Sequence, residues 1–416
     1  MNLLRNLTFQ VFIAALFGIG LALVLGDGVW TEPLGQVKTV FLAALRMLIA
    51  PMIFFSLVGG IAGIGNVVRL RRLGGVTVAY YLSTTAIAAA LGLIAVFLIH
   101  PWTAYPAPEN LAPAGVSRLL DPANGSITAI IGQILERSLT NPFTALVELN
   151  ILGIVANAFL IGIAMVLVLP AESPLFRVVA DTNAVIARVL GWVIRVLPIG
   201  IFAILFEFTA SLGAGEGQGA NLLRQLLSFG ALVVSLTLFH GIVILPAIAW
   251  LFAGRSPVSL FGAILRPLLV AFSTSSSSAT LPVTMRTAEE NLAVDPGVSS
   301  FVLPLGATMN MDGTALFEAV GAVFLAYLFG VDLSSAAIVT VFVMAMMASI
   351  GAPGMPSASM AGMQMVLLAV GIPLEAIAIL LIIERPLDTI RTSLNVEGDL
   401  VGCLVVDRYC DRRDGT

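Results

Sequence analysis

Residues 307–319, ATMNMDGTALFEA, place Asn310, Asp312 and Glu318 within nine residues. Residues 384–400, ERPLDTIRTSLNVEGDL, carry Asp388, Arg391, Thr392, Asn395 and Asp399 at offsets 0, 3, 4, 7 and 11, which is one face of a helix. Leu387, Ile390 and Leu394 lie off that stripe. Carboxylates, an asparagine amide and main-chain carbonyls are hard oxygen donors of the kind Na⁺ needs. An arginine fork matches a carboxylate bidentately, and an aspartate one turn earlier can hold an ammonium. The two receptors side by side suit an acidic amino acid. No nucleophile and base pair accompanies the acids, which argues against an intramembrane enzyme.

These groups lie in apolar surroundings. Asp312 and Glu318 fall inside the run from Phe301 to Phe329, and LVGCLVV follows Asp399. Each charge at mid-membrane costs about 2.5–3.5 kcal/mol on insertion scales. Asp312, Asp388, Arg391 and Asp399 therefore need partners, and small cations with a charged ligand supply them. The alternative for the helix-face stripe is a helix end emerging into water near Arg408 and Asp411; the apolar run beyond Asp399 favours a cavity instead.

The elements that must position these groups are membrane helices. Of 416 residues 59% are hydrophobic and only 11% charged, with a mean hydropathy of +1.04, the profile of a polytopic membrane protein. The windows Thr8–Leu25, Val37–Ile64, Val76–Ile99, Ile151–Leu169 and Leu226–Phe252 each approach the ~20 residues that cross a bilayer. Alternating ten-residue strands are lacking, which argues against an outer-membrane barrel. The N-terminus has no small-residue cleavage site and reads as the first membrane helix. Cys403 and Cys410 are too few for a disulfide framework. His100 and His240 have no metal-ligand spacing and read as interfacial residues. Arg5 and the basic loop of Arg69, Arg71 and Arg72 belong on the cytoplasmic side, and Arg408, Arg412 and Arg413 fit a cytoplasmic C-terminus.

A Pro-rich external segment spans Pro101 to about Gly125, Ile127–Pro170 reads as a helix in pieces, and Leu175–Leu212 as one long helix. The last third differs. STSSSSATLP interrupts the apolar stretch 260–281, and SIGAPGMPSAS interrupts 336–368. Gly, Pro and serine runs end helices, and irregular backbone at membrane depth survives only where protein or a cavity surrounds it. Both stretches are expected to be re-entrant hairpins flanking the Asp312 segment, with ordinary loops between short helices as the alternative. Paired broken segments point to a transporter's binding site.

STSSSSATLPVT, GATMNMDGTALFEA, SIGAPGMP and DTIRTSLNVEGD, in this order, together with YYLSTT at residues 80–85, resemble the signatures of the glutamate/aspartate transporter family, the dicarboxylate/amino acid:cation symporters. The resemblance is strongest from Ser259 to Asp407. It implies a prokaryotic member with motifs close to the animal excitatory amino acid transporters. The implied fold is all-α: eight transmembrane helices plus two re-entrant helical hairpins, working as an elevator. Residues 1–75 (helices one and two) and 101–215 (helices four and five) would be scaffold. Residues 76–100 (helix three) and 216–416 (helices six to eight with both hairpins) would be the moving transport domain.

By the same resemblance Asp388 binds the substrate amine, Arg391 its side-chain carboxylate, and Thr392 and Asn395 the main-chain carboxylate, with Ser276, Ser277, Thr314 and Met355 completing the pocket. One sodium site would use Asp399, Asn395, Asn310 and the Gly306 carbonyl. A second would use Asp312 and Asn310 with Tyr81, Thr84 and Thr85. A third would use backbone around Thr308, Ser349, Ile350 and Ala352, with Met311 close to the ions. Glu318 stands where animal members carry a glutamate thought to bear a proton; a neutral acid bonded between helices is the alternative. Ser275 and Thr389 stand where relatives carry a second arginine, which Arg385 beside Pro386 is the candidate to replace. Pro353, Ser357 and Ser359 are unusual in the second hairpin.

The expected protein is thus a Na⁺-coupled, and H⁺-coupled if Glu318 carries a proton, symporter of L-aspartate or L-glutamate. It would be a homotrimer in the bacterial inner membrane with both termini cytoplasmic, its partners lipid and a small substrate rather than nucleic acid. Each positive charge moved inward gains about 2.3 kcal/mol per 100 mV, so an anionic substrate needs at least two cations to exploit the membrane potential. Alternatives are a C4-dicarboxylate carrier, which Asp388 disfavours, a proton-only symporter of the same fold, a neutral amino acid carrier, which Arg391 disfavours, and an anion channel or non-transporting sensor.

Overall fold

A computed structural model describes residues 7–26, 28–62, 70–106, 132, 135–136, 138–170, 172–211, 218–351, 354, 357 and 359–414. Among these the apolar windows fold as helices and no strand forms. In chain order they are α1 (Leu7–Leu25), α2 (Thr31–Ala62), α3 (Leu70–Leu98), a 3₁₀ turn (Pro101–Ala104), α4 (Pro142–Val147), α5 (Ile151–Val168), α6 (Pro174–Arg195) and α7 (Leu197–Ser211). Then follow α8 (Gln218–Phe239), a π-helical turn (His240–Ile244), α9 (Leu245–Ala253), α10 (Pro257–Thr274), α11 (Ser277–Glu290), α12 (Pro296–Met309) and α13 (Asp312–Leu328). The chain closes with α14 (Ser335–Gly351), α15 (Ser359–Val370), a 3₁₀ turn (Leu374–Ala376) and α16 (Ile377–Asp414).

Three expectations change. The long helix over 175–212 is two helices, α6 and α7, meeting at 50°. The break falls at Val196, just before Pro198, whose ring removes a donor from the helical ladder. Arg71 and Arg72 lie in the first turn of α3 rather than in a loop, while Arg5 and Arg69 lie outside the described residues, as does the part beyond residue 106 of the Pro-rich segment expected over Pro101 to about Gly125. Among the described residues five helices are long and apolar enough to cross a membrane, or six with the bent pair counted as one span. The apolar stretches Phe9–Leu25 and Gly153–Val168 fall short of that length, and at 1.5 Å per residue they span roughly 25 Å, within reach of a bilayer only by local thinning.

Packing divides the helices. α1, α2, α5, α6 and α7 pack on one another, with α2 at the centre. In a second group, α16 packs on α3, α8, α9, α10, α12 and α13, and α14 packs on α15. The groups meet where α2 faces α14 and α15, where α5 faces α15, and where α1 and α7 reach α16. Between them lies a cavity of about 400 Å³ lined by Ser56, Gly59, Asn183, Ser278, Thr308 and Gly354.

Local sequence explains the breaks that matter. Ser275 adopts a left-handed φ of +51° and ends α10; Ser276 then caps α11 by accepting from the Ala279 N–H at 3.1 Å. α12 ends where the Asn310 N–H donates to the Gly306 carbonyl, and Asn310 and Met311 leave helical geometry with φ of −119° and −123° before α13 begins. These two helices enclose Asp312 and Glu318, both fully buried.

Candidate functional site

The break between α12 and α13 is filled by side chains from α3, α16 and the π-helical turn that follows α8. The Thr85 hydroxyl donates to Asp312 Oδ1 at 2.9 Å, and the Thr84 hydroxyl to Asn310 Oδ1 at 3.3 Å. Asn310 Nδ2 donates to Asp399 Oδ1 at 3.1 Å. Asn310 therefore bonds to both Asp399 and Thr84, the neighbour of the Thr85 that holds Asp312 two residues further along the chain. Tyr81 is buried with its hydroxyl on the Val302 carbonyl at 2.7 Å. Two carboxylates, an amide oxygen, two threonine hydroxyls and the carbonyls of an interrupted helix form a donor set of the kind a small hard cation takes.

Gly306 permits this approach of helices. A Cβ there would fall on the Asp399 carboxylate and the Tyr81 hydroxyl. Gly306→Ala is expected to push the Asp399 carboxylate aside and weaken the hold of this donor set on a small cation about tenfold, the scale of ~1–3 kcal/mol of overpacking, which a cation-binding titration checks.

His240 corrects the sequence reading. It is fully buried rather than interfacial, and its Nε2 lies 3.1 Å from Asp312 Oδ2. The span that carries it runs from Ala220 to Ala253, so the histidine sits well inside the membrane segment, on the π-helical turn. A π turn redirects side chains within a helix and marks functional sites. A lone histidine amid the apolar run over 226–252 was the available signal.

The face of α16 assembles the other half. Asp388 Oδ2 accepts from the Ser357 N–H at 3.0 Å, and Arg391 Nη2 lies 3.3 Å from Asp388 Oδ1. The guanidinium stacks on Phe317, with Cζ 3.9 Å from the ring centroid. Asn395 Oδ1 accepts from the Gly313 N–H at 2.9 Å, and its Nδ2 lies 3.5 Å from the Thr314 hydroxyl. The Thr392 hydroxyl bonds back to the Asp388 carbonyl at 2.7 Å. Ser276 donates to the Gly354 carbonyl at 2.6 Å, and the Ser278 N–H donates to the same carbonyl, so the segments joining α10 to α11 and α14 to α15 touch over this face. Ser277 is buried at the start of α11.

The residues named for a third sodium site are less tied together. Thr308 and Ser349 give their hydroxyls to carbonyls of their own helices, at Leu305 and Met346, although α12 and α14 pack on each other. Met311 and Ile350 are buried nearby in the chain. Ala352, Pro353 and Met355 lie outside the described residues. Glu318 is fully buried, with both carboxyl oxygens lacking a hydrogen-bond partner among the described residues; a Cβ on Gly362 would fall on it.

Glu384 was missed by sequence reasoning. It is fully buried, with Oε1 3.1 Å from Arg391 Nη2 and Oε2 accepting from the Ser357 hydroxyl at 3.0 Å. Arg385 Nη1 donates to Ser357 Oγ at 3.1 Å and stands 3.7 Å from Asp388 Oδ2. The signal was present, because Glu384 lies four residues before Asp388 and seven before Arg391, on the same helical stripe.

Residues 7–409 match the model of the sodium:dicarboxylate symporter family. The Caenorhabditis elegans protein glt-4, assigned as a sodium-dependent excitatory amino acid transporter, is 34% identical over 412 residues, covering 89% of this chain and 82% of its own. Human excitatory amino acid transporter 2 is 32% identical over 415 residues, covering 88% of this chain and 71% of its own. Human neutral amino acid transporter B(0) is 33% identical over 402 residues, covering 90% and 73%.

Proposed function

The chain belongs to the sodium:dicarboxylate symporter family, and from that premise we propose that it imports an acidic amino acid, L-aspartate or L-glutamate, together with Na⁺ and a proton. It is a multi-pass membrane protein and a sodium-coupled amino acid transporter, not an enzyme. The observation that carries acidic specificity is the buried pair on α16: Asp388, an amine receptor, one turn from Arg391, a carboxylate receptor. The excitatory amino acid transporters among its relatives support the same substrate class. Uptake of labelled L-aspartate in proteoliposomes tests it. Inhibition by L-glutamate at far lower concentration than by succinate or L-serine is the expected pattern; stronger inhibition by succinate or serine contradicts it.

In this reading Asp399, Asn395, Asn310 and the Gly306 carbonyl hold one sodium ion, and Asp312, Asn310, Thr84, Thr85 and Tyr81 a second. A third would sit near Thr308, Ser349 and Ile350. A carbonyl oxygen has two lone pairs, so Gly306 can serve both the Asn310 N–H and an ion. Glu318 carries the proton: an ionised, unpartnered carboxylate in this fully buried position is costly, and a proton removes that cost. Glu318→Gln is expected to leave sodium-dependent uptake standing while removing its stimulation by an inward proton gradient. Stimulation that survives the substitution would return Glu318 to a structural role.

The moving body is α3 with α8–α16, sliding as an elevator against α1, α2 and α5–α7 in each protomer of a homotrimer. The small-residue cavity between the two groups supports relative motion. The segment joining α14 to α15 acts as the outer gate over Asp388.

A further inference from the structure

Arg391 carries two kinds of bidentate edge, Nη1/Nη2 and Nε/Nη2; Nη1 faces Cδ, so no edge avoids Nη2. Nη2 is the atom already occupied. It lies 3.1 Å from Glu384 Oε1, 3.3 Å from Asp388 Oδ1 and 3.0 Å from Ser359 Oγ. Nη1 and Nε are buried and have no hydrogen-bond partner among the described residues. A substrate carboxylate seeking either fork therefore meets an internal carboxylate at the shared nitrogen. Glu384 is itself held from the second hairpin, through the Ser357 hydroxyl at 3.0 Å and Ser359 at 3.5 Å. Two acids, Glu384 and Asp388, face two arginines, Arg385 and Arg391, so the cluster is balanced before any substrate enters.

We propose that Glu384 is a specificity-determining residue: it is an internal stand-in for the substrate's side-chain carboxylate, and its hold on Arg391 sets how strongly the pocket prefers an acidic over a neutral amino acid. An acidic amino acid takes the Arg391 fork only by displacing Glu384. A neutral one leaves the Glu384–Arg391 pair intact and uses Asp388 alone for its amine. Selectivity is then a competition between two carboxylates, one built in and one brought in. This rests on the α16 face being the substrate site, as proposed above.

The test is uptake of L-aspartate and of L-serine by wild type and Glu384→Gln in proteoliposomes, with KM and maximal rate separated. Glu384→Gln is expected to lower the aspartate KM about tenfold, the scale of one charge-assisted hydrogen bond, and to leave the serine KM within about twofold. A wild type that refuses aspartate, with a variant that accepts it, overturns the acidic-substrate reading and supports the role of Glu384. An unchanged ratio of the two KM values, or a raised aspartate KM with serine unaffected, overturns the role of Glu384 whatever the wild type carries. Should Glu384→Gln not fold, Ser357→Ala carries the same test. It removes the hydroxyl that holds Glu384 and is expected to lower the aspartate KM about threefold relative to serine, whereas an unchanged ratio overturns the proposal.

Discussion

Asp399→Asn is expected to abolish sodium-driven uptake at sodium concentrations that saturate the wild type. Asp399 is 2% exposed, and its Oδ1 accepts from Asn310, the residue that also bonds to Thr84, the neighbour of the Thr85 that holds Asp312. Removing one partner from a buried charged contact costs about 3–5 kcal/mol, which is roughly two to three and a half orders of magnitude in affinity. Asparagine keeps the size and one oxygen, so the loss isolates the charge. Because Asn310 bonds to Asp399 and lies two residues from Asp312, Asp312→Asn should produce a defect that is not additive with the first, as residues in one network behave. A sodium titration of aspartate uptake for both variants and the pair checks it. Sodium dependence unchanged in Asp399→Asn would remove the first sodium assignment.

Arg391→Gln is expected to raise the KM for an acidic amino acid by about a hundredfold or more while a small neutral amino acid is still carried. The guanidinium is 1% exposed and held in place by stacking on Phe317; each charge-assisted hydrogen bond of a two-pronged fork to a carboxylate is worth about 1.5–3 kcal/mol, so losing both is roughly a hundredfold or more in affinity. The substitution also strands Glu384 and Asp388, leaving Arg385 as their partner at 3.7 Å from Asp388. Pairing Arg391→Gln with Glu384→Gln restores the balance of charge, and the double variant is expected to be made in better yield than the single. Competition of labelled serine uptake by aspartate reads the effect directly. An aspartate KM within about threefold of wild type would mean that another group receives the side-chain carboxylate.

Much of this site was legible because spacing and polarity conflicted with an apolar background. The stripe of Asp388, Arg391, Thr392, Asn395 and Asp399 became one buried face of α16. The serine run and the GAPGMPSAS run became the joints between α10 and α11 and between α14 and α15. The break at Asn310 and Met311, which puts Asp312 at a helix start, was not read from the sequence, where residues 301–329 form one apolar segment. What escaped was pairing across distance. His240 meets Asp312 only because a π turn in one helix faces the interrupted one, and no local pattern states that contact. Glu384 sits on the visible stripe, but its role depends on Arg391 and Ser357 being around it. The bend at Val196 falls in a mostly apolar stretch, where hydropathy does not distinguish one helix from two.

The measurement that tests the account most directly is uptake of radiolabelled L-aspartate into proteoliposomes, with inward sodium and proton gradients imposed separately and together. Each positive charge carried inward gains about 2.3 kcal/mol per 100 mV, so an anionic substrate accumulates against its own charge only with at least two cations. Uptake that requires sodium, rises further with an inward proton gradient and grows with an inside-negative potential is the predicted result. Uptake driven by the proton gradient alone, with sodium irrelevant, would contradict the assignment of the Asp312 and Asp399 clusters as sodium sites.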